Sequence, residues 1–93
     1  MKASWNGKLI AESSETINIE GNHYFPEFDV KKELLISSEL KSFCPWKGEA
    51  SYYHIKIDEN INENAAWYYR EPKDAAKVIK GRIAFWKGVK IEE

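Results

Sequence analysis

Between Ser51 and Asp58 the side chains alternate with a period of two: Tyr53, Ile55 and Ile57 fall on one face, and Tyr52, His54 and Lys56 on the other. This is the signature of a half-buried β-strand, which needs partner strands to cover its apolar face. The same period returns from Thr16 to Glu20, where Ile17 and Ile19 alternate with polar residues. Gly21-Asn22 then predicts a turn into His23-Tyr24-Phe25, a strand that Pro26 ends or confines to a sheet edge because its nitrogen cannot donate to a ladder. Asn6-Gly7 between extended stretches predicts an opening hairpin with a type I′ turn, since both turn positions need positive φ.

Further along, Asn60 to Asn62 reads as a four-to-five-residue hairpin loop leading into a strand over Asn64 to Tyr69. Arg82 to Trp86, Lys87-Gly88 and Val89 to Ile91 read as a closing hairpin. Asp29 to Leu35 has room for one helical turn. The convincing helix is Pro72 to Lys80, with Pro at its start, Ala75, Ala76, Val78 and Ile79 as its inner side and Gly81 placed just past its end. The expected fold is therefore all-β or β-dominated: a strongly bent antiparallel sheet or open barrel with one short helix across it. Its 93 residues suit one domain, 1–93, and leave no room for a second core. With 43% apolar residues, among them 4 Trp, 5 Tyr and 4 Phe, that core is feasible without disulfides.

Fourteen basic residues against 15 acidic ones give a net charge of -1, so no overall field draws nucleic acid or an anionic membrane. Six basic residues against Asp74 do gather between Lys73 and Lys90, with Lys73, Lys77 and Lys80 at helical spacing. That stripe reads as the wet face of an amphipathic helix, and no nucleic-acid partner is expected. No apolar run approaches the roughly twenty residues of a spanning helix, so no membrane partner is expected either. The start of the chain lacks the apolar region of a secretory signal, and the single Cys44 suits a reducing compartment, which makes the cytoplasm the expected location.

The chemistry-bearing residues are few. Phe43-Cys44-Pro45-Trp46-Lys47-Gly48 packs a thiol, a rigid proline, an aromatic plate and an ammonium into six residues, and a close Lys47 would favour the thiolate of Cys44. The alternative is structural, with Cys44 filling a small core site and Trp46 packing. His54 has an imidazole suited to base catalysis but sits on the polar side of its strand, and Glu20 could accept a proton or simply solvate an edge. His23, Cys44 and His54 are too widely spaced for a structural zinc site, so neither metal nor cofactor is expected.

Four stretches together resemble a family of small bacterial and archaeal proteins known as domain of unknown function 427: Ile19 to Pro26, Cys44 to Tyr53, Ala65 to Tyr69 with Pro72, and Ile79 to Phe85. The most specific run is Cys44-Pro45-Trp46-Lys47-Gly48, followed by Ala50-Ser51-Tyr52-Tyr53. The resemblance implies a single small β-rich domain, often standing alone, with no established activity. A nucleotidyltransferase label is sometimes attached to that family. Such transfer needs grouped carboxylates to hold Mg²⁺ against phosphates, and the sequence has no Asp-x-Asp or Gly-Ser…Asp arrangement, only Asp58-Glu59 at a hairpin end.

The function expected from the residues is a binding module for a small polar or aromatic ligand, in a pocket walled by Tyr24, Trp46, Tyr52 and Tyr68 with Glu20, Lys47 and His54 as polar contacts. The runner-up is an enzyme using Cys44 or His54, with Glu20 a further catalytic candidate. A third class is an interaction subunit or homodimer that uses exposed Trp and Tyr.

Overall fold

The computed structural model describes residues 1–93 as nine strands: β1 (Lys2–Trp5), β2 (Lys8–Glu12), β3 (Ile17–Ile19), β4 (Asn22–Tyr24), β5 (Leu35–Cys44), β6 (Gly48–Ile57), β7 (Asn60–Tyr68), β8 (Ile83–Phe85) and β9 (Lys90–Glu92). They form three antiparallel sheets, ordered β2-β1-β9, β3-β4 and β5-β6-β7-β8, and none closes into a barrel. The fold is β-dominated, as the alternating segments require.

Turn chemistry explains the hairpins. Asn6 and Gly7 have φ of 53° and 77°, the left-handed values that the Asn-Gly dipeptide accepts at little cost. The second turn sits one residue earlier than Gly21-Asn22: Glu20 and Gly21 take φ of 56° and 83°, and Asn22 already pairs with Ile19. The turn between β6 and β7 is also tighter than expected. Asp58-Glu59 makes it, with Ile57 opposite Asn60, so the strand begins at Asn60 instead of after a long loop.

Two expectations are overturned by tertiary pairing. Val89 to Ile91 does not fold back on β8; β9 crosses to β1, where Ile91 lies opposite Ala3, while β8 pairs with β7. The segment Pro72 to Lys80 is not an α-helix. Asp74–Ile79 forms 3₁₀ turns interrupted at Ala76 (φ -121°), with i to i+3 bonds such as Ala76 N–H to the Lys73 carbonyl at 2.8 Å. Few residues fit between Pro72 and Gly81, isolated short helices are marginal in water, and the positions buried here, Ala76 and Ile79, are three apart, which is the 3₁₀ period. Ala75 and Val78, expected to face inward, are exposed. Lys32–Leu34 is a single 3₁₀ turn within Asp29 to Leu35, where one helical turn was expected, and Glu27–Asp29 forms another just before it.

The four-stranded sheet is covered on both faces. On one side Ile55, Ala66, Ile83 and Phe85 pack with Phe25 and with Ala3, Ile10 and Ala11 of the β2-β1-β9 sheet to make the main core. The other side carries Ala50, Tyr69 and Ala84, covered by Tyr24 of the β3-β4 hairpin and by Ala76 and Ile79. This second cover is incomplete. Between the small hairpin and Trp86 the sheet is left open as a cavity.

Candidate functional site

The site is built on the turn between β5 and β6. Cys44 pairs with Gly48, and Pro45-Trp46-Lys47 spans the gap. Gly48 has φ of 109°, a left-handed value, and a Cβ there would sit 3.6 Å from the backbone nitrogen of Lys73. The positive φ is what asks for glycine here, and the turn is tied down by Lys73, whose N–H donates to the Lys47 carbonyl at 2.9 Å and whose ammonium donates to the Pro45 carbonyl at 2.7 Å. Held from behind in this way, Lys47 is aimed inward.

Lys47 is 7% exposed, unusual for a residue that seldom buries its charge without a partner. Its ammonium donates to the Glu20 carboxylate, which reaches it from the β3-β4 turn. It also lies 5.1 Å from the Trp46 ring centroid and 5.8 Å from that of Tyr69, within cation–π range of both. Burial by itself lowers the pKa of Lys47; the hydrogen bond to Glu20 and the fields of Tyr24, Tyr69 and Glu20 outweigh it and hold the pKa above its ordinary value. The residue stays cationic.

Beside this ammonium is a cavity of about 290 Å³, walled by Tyr24, Tyr52, Trp67, Tyr69 and Trp86, with Asn22 at its rim. Cross-strand register assembles the wall. Tyr52 on β6 lies opposite Trp67 on β7, which lies opposite Ala84 on β8, so the two rings share a face. Trp67 meets Tyr24 edge-to-face at 6.2 Å and Trp86 at 5.8 Å, and its indole N–H donates to the Tyr24 hydroxyl at 3.2 Å. The Trp86 indole N–H is engaged by the Asn64 carbonyl, and the Tyr52 and Ser42 hydroxyls share a hydrogen bond of 2.8 Å. Burial pushes the Tyr69 hydroxyl up to about 12, against the opposing field of Lys47. Tyr24 is likewise raised by burial, with the Trp67 hydrogen bond and Lys47 acting against it. Both phenols, protonated at neutral pH in any setting, keep their protons to higher pH here.

Of the residues expected at a site, Glu20, Tyr24, Lys47 and Tyr52 come together here. Trp46 is a plate against the Lys47 ammonium and is not part of the cavity wall. Cys44 is half-buried and packs on the cluster that contains Tyr24 and Tyr69. Tyr68 lies on the opposite face of the sheet, stacked on Tyr53 with centroids 4.9 Å apart, because neighbouring strand residues point to opposite sides. His54 is also elsewhere. A register shift in β7 puts Asn64 at φ 55°, and the Asn64 N–H donates to His54 Nδ1 at 3.0 Å. His23 reaches Asn18 across the small hairpin at 3.3 Å. Nowhere do three His, Cys, Asp or Glu side chains gather as metal ligands, and no helix is long and apolar enough to cross a membrane.

Sequence reasoning missed Trp67, Tyr69, Trp86 and Asn22 as cavity residues. The unbroken apolar run Ala65 to Tyr69 hides its own alternation; only the parity of Trp67 and Tyr69 against Tyr68 carried the signal. A family model described as Domain of unknown function (DUF427) matches residues 1–93 of the chain. No curated protein matches it significantly.

Proposed function

Because the chain belongs to the DUF427 family, whose description assigns no activity, we propose its function from the site itself: a binding module that takes a small, ring-containing ligand into the cavity beside Lys47. The observation that carries this reading is the pairing of five aromatic walls with one buried, charged side chain. Ligand sites are mostly apolar and aromatic surfaces with a few placed polar groups, and about 290 Å³ lies just below their usual range of roughly 300–1,000 Å³. The ligand is accordingly a compound of one or two rings.

The enzyme reading has less behind it, because Cys44 packs among apolar residues and His54 is engaged by Asn64, leaving Lys47 and Glu20 without a third group in a relay. With a single cysteine and no disulfide to form within the chain, a reducing compartment suits the protein, and a cytoplasmic location is part of the proposal. The test is a titration with indole, followed by the backbone and indole N–H resonances of the protein. Trp67 and Trp86 are expected to shift together while Trp5, on the far sheet, stays in place. Absence of any shift at millimolar ligand would overturn the binding reading.

A further inference from the structure

Five aromatic rings beside a carboxylate look at first like a cage for an organic cation. The polar groups argue against that use. The cation–π position over Tyr69 is already filled by the ammonium of Lys47, so a second cation would meet like charge at close range. The Trp67 and Trp86 indole N–H groups are engaged within the protein, and the Tyr52 hydroxyl is shared with Ser42. What remains for a ligand is the Lys47 ammonium, with three protons and one carboxylate partner, the phenol of Tyr69, whose hydroxyl has no hydrogen-bond partner within the protein, and the Asn22 amide at the rim. The one charged group among them only donates, so the site is complementary to an anionic acceptor.

One acceptor already stands there. Glu20 is fixed to Lys47, yet its side chain is 55% exposed, and it springs from a two-residue turn at φ 56° at the tip of a two-stranded hairpin. A carboxylate this exposed is already largely hydrated within the ion pair, so the pair is weakly held and Glu20 can give way to another anion. We propose that the cavity selects a flat aromatic anion, an aryl or arylalkyl carboxylate, whose rings lie among Tyr24, Tyr52, Trp67 and Trp86 and whose carboxylate takes the place of Glu20 on Lys47. Glu20 is then an internal counter-ion that keeps Lys47 paired in the empty site and competes with the ligand. This rests on the binding reading above and adds the charge of the ligand and the role of Glu20.

Three probes with the same ring separate the two levels. Indole-3-acetate, indole-3-acetamide and tryptamine present an anion, a neutral amide and a cation, and their dissociation constants can be measured by titration at pH 7 and about 50 mM salt. The acetate is expected to bind at least tenfold more tightly than the amide, with tryptamine weakest. Glu20→Gln, which removes the competitor and leaves the cavity walls intact, should tighten the acetate several-fold and leave the amide within about twofold. Lys47→Met should erase the preference for the acetate, and its melting curve shows whether the fold survives the change; the ranking in the unmodified protein needs no variant. Equal binding of acetate and amide would overturn the anion proposal while leaving the binding reading in place. Tightest binding by tryptamine would assign Glu20 as the ligand's partner and overturn it too. Failure of all three at millimolar concentration would remove the binding reading and this proposal together.

Discussion

The two faces of the four-stranded sheet solve the same burial problem in different ways. Toward β1, β2 and β9 the sheet presents Ile55, Ala66, Ile83 and Phe85, and the covering sheet answers with Ala3, Ile10 and Ala11, so the space fills with alkyl and phenyl groups. Toward the β3-β4 hairpin it presents Tyr52, Trp67 and Tyr69, whose rings carry polar ends and are too large for a short hairpin to cover. Each polar end must then find a partner or stay wet, and the gap that results holds a charged lysine. The first face supplies stability; the second trades packing for a cavity.

The sharpest way to break this contrast is to truncate a side chain in the main core. Phe25→Ala removes a fully buried ring that meets Phe85 edge-to-face at 5.6 Å, and is expected to cost about 3–5 kcal/mol in urea unfolding. A loss below about 1.5 kcal/mol would mean that the two faces do not differ as described. Next comes the cover of the second face. Ile79→Ala should cost about 2–4 kcal/mol and its neighbour Val78→Ala less than about 0.5, since Ile79 is fully buried and Val78 is 57% exposed. Comparable losses at both positions would show that the 3₁₀ segment presents another side to the sheet.

A smaller effect is expected at the ion pair. Glu20→Gln leaves the Lys47 ammonium with a neutral acceptor in place of a charged one, and should cost about 1–2 kcal/mol, limited by the exposure of Glu20. Raising salt to about 1 M should weaken the difference between parent and variant, because the exposed side of the pair is screened.

The tyrosines give an effect that is absent at neutral pH. Tyr69 on the second face and Tyr53 on the first are both pushed from the ordinary 10 up to about 12, chiefly by burial, with Tyr68 adding to Tyr53. A raised pKa means that the folded chain keeps protons which the unfolded chain releases, so their contribution is complete below about pH 10 and is lost as pH rises toward about 12. Lys47 adds to the same alkaline loss, its pKa being raised as well. Urea midpoints measured from pH 9 to 12 should fall, and Tyr69→Phe should flatten that fall. An unchanged slope in the variant would mean that Tyr69 is not the buried phenol described.

How far the sequence could be read follows from which residues act through neighbours in the chain. The Asn6-Gly7 turn, the faces of the strand through Tyr53, Ile55 and Ile57, the inward Ala76 and Ile79 and the left-handed Gly81 (φ 73°) were all legible, because each depends on local sterics or on a short period. The long strand β5 was not. It is an edge strand with a register shift between Ser37 and Lys41, and most of its residues are exposed, so no alternation had to be kept. Within the site, Lys47 and Trp46 stood out from their compact motif and Glu20, Tyr24 and Tyr52 from their strands, whereas Trp67, Tyr69 and Trp86 did not.

By itself, then, the sequence determined that this chain is built of strands, that it turns at Asn6-Gly7 and Lys87-Gly88, and which unusual residues it carries at Cys44 to Gly48. Three things were decided only by tertiary structure: that β9 joins β1 and not β8, that Tyr68 and His54 lie away from Lys47, and that Glu20 reaches Lys47 from 27 residues away. The reason is the range of the forces involved. Backbone sterics and side-chain period act over a few residues and are written into the order of the chain. The choice of strand partner and the pairing of a buried charge depend on which distant surfaces meet when the apolar faces are covered, and no local pattern records that.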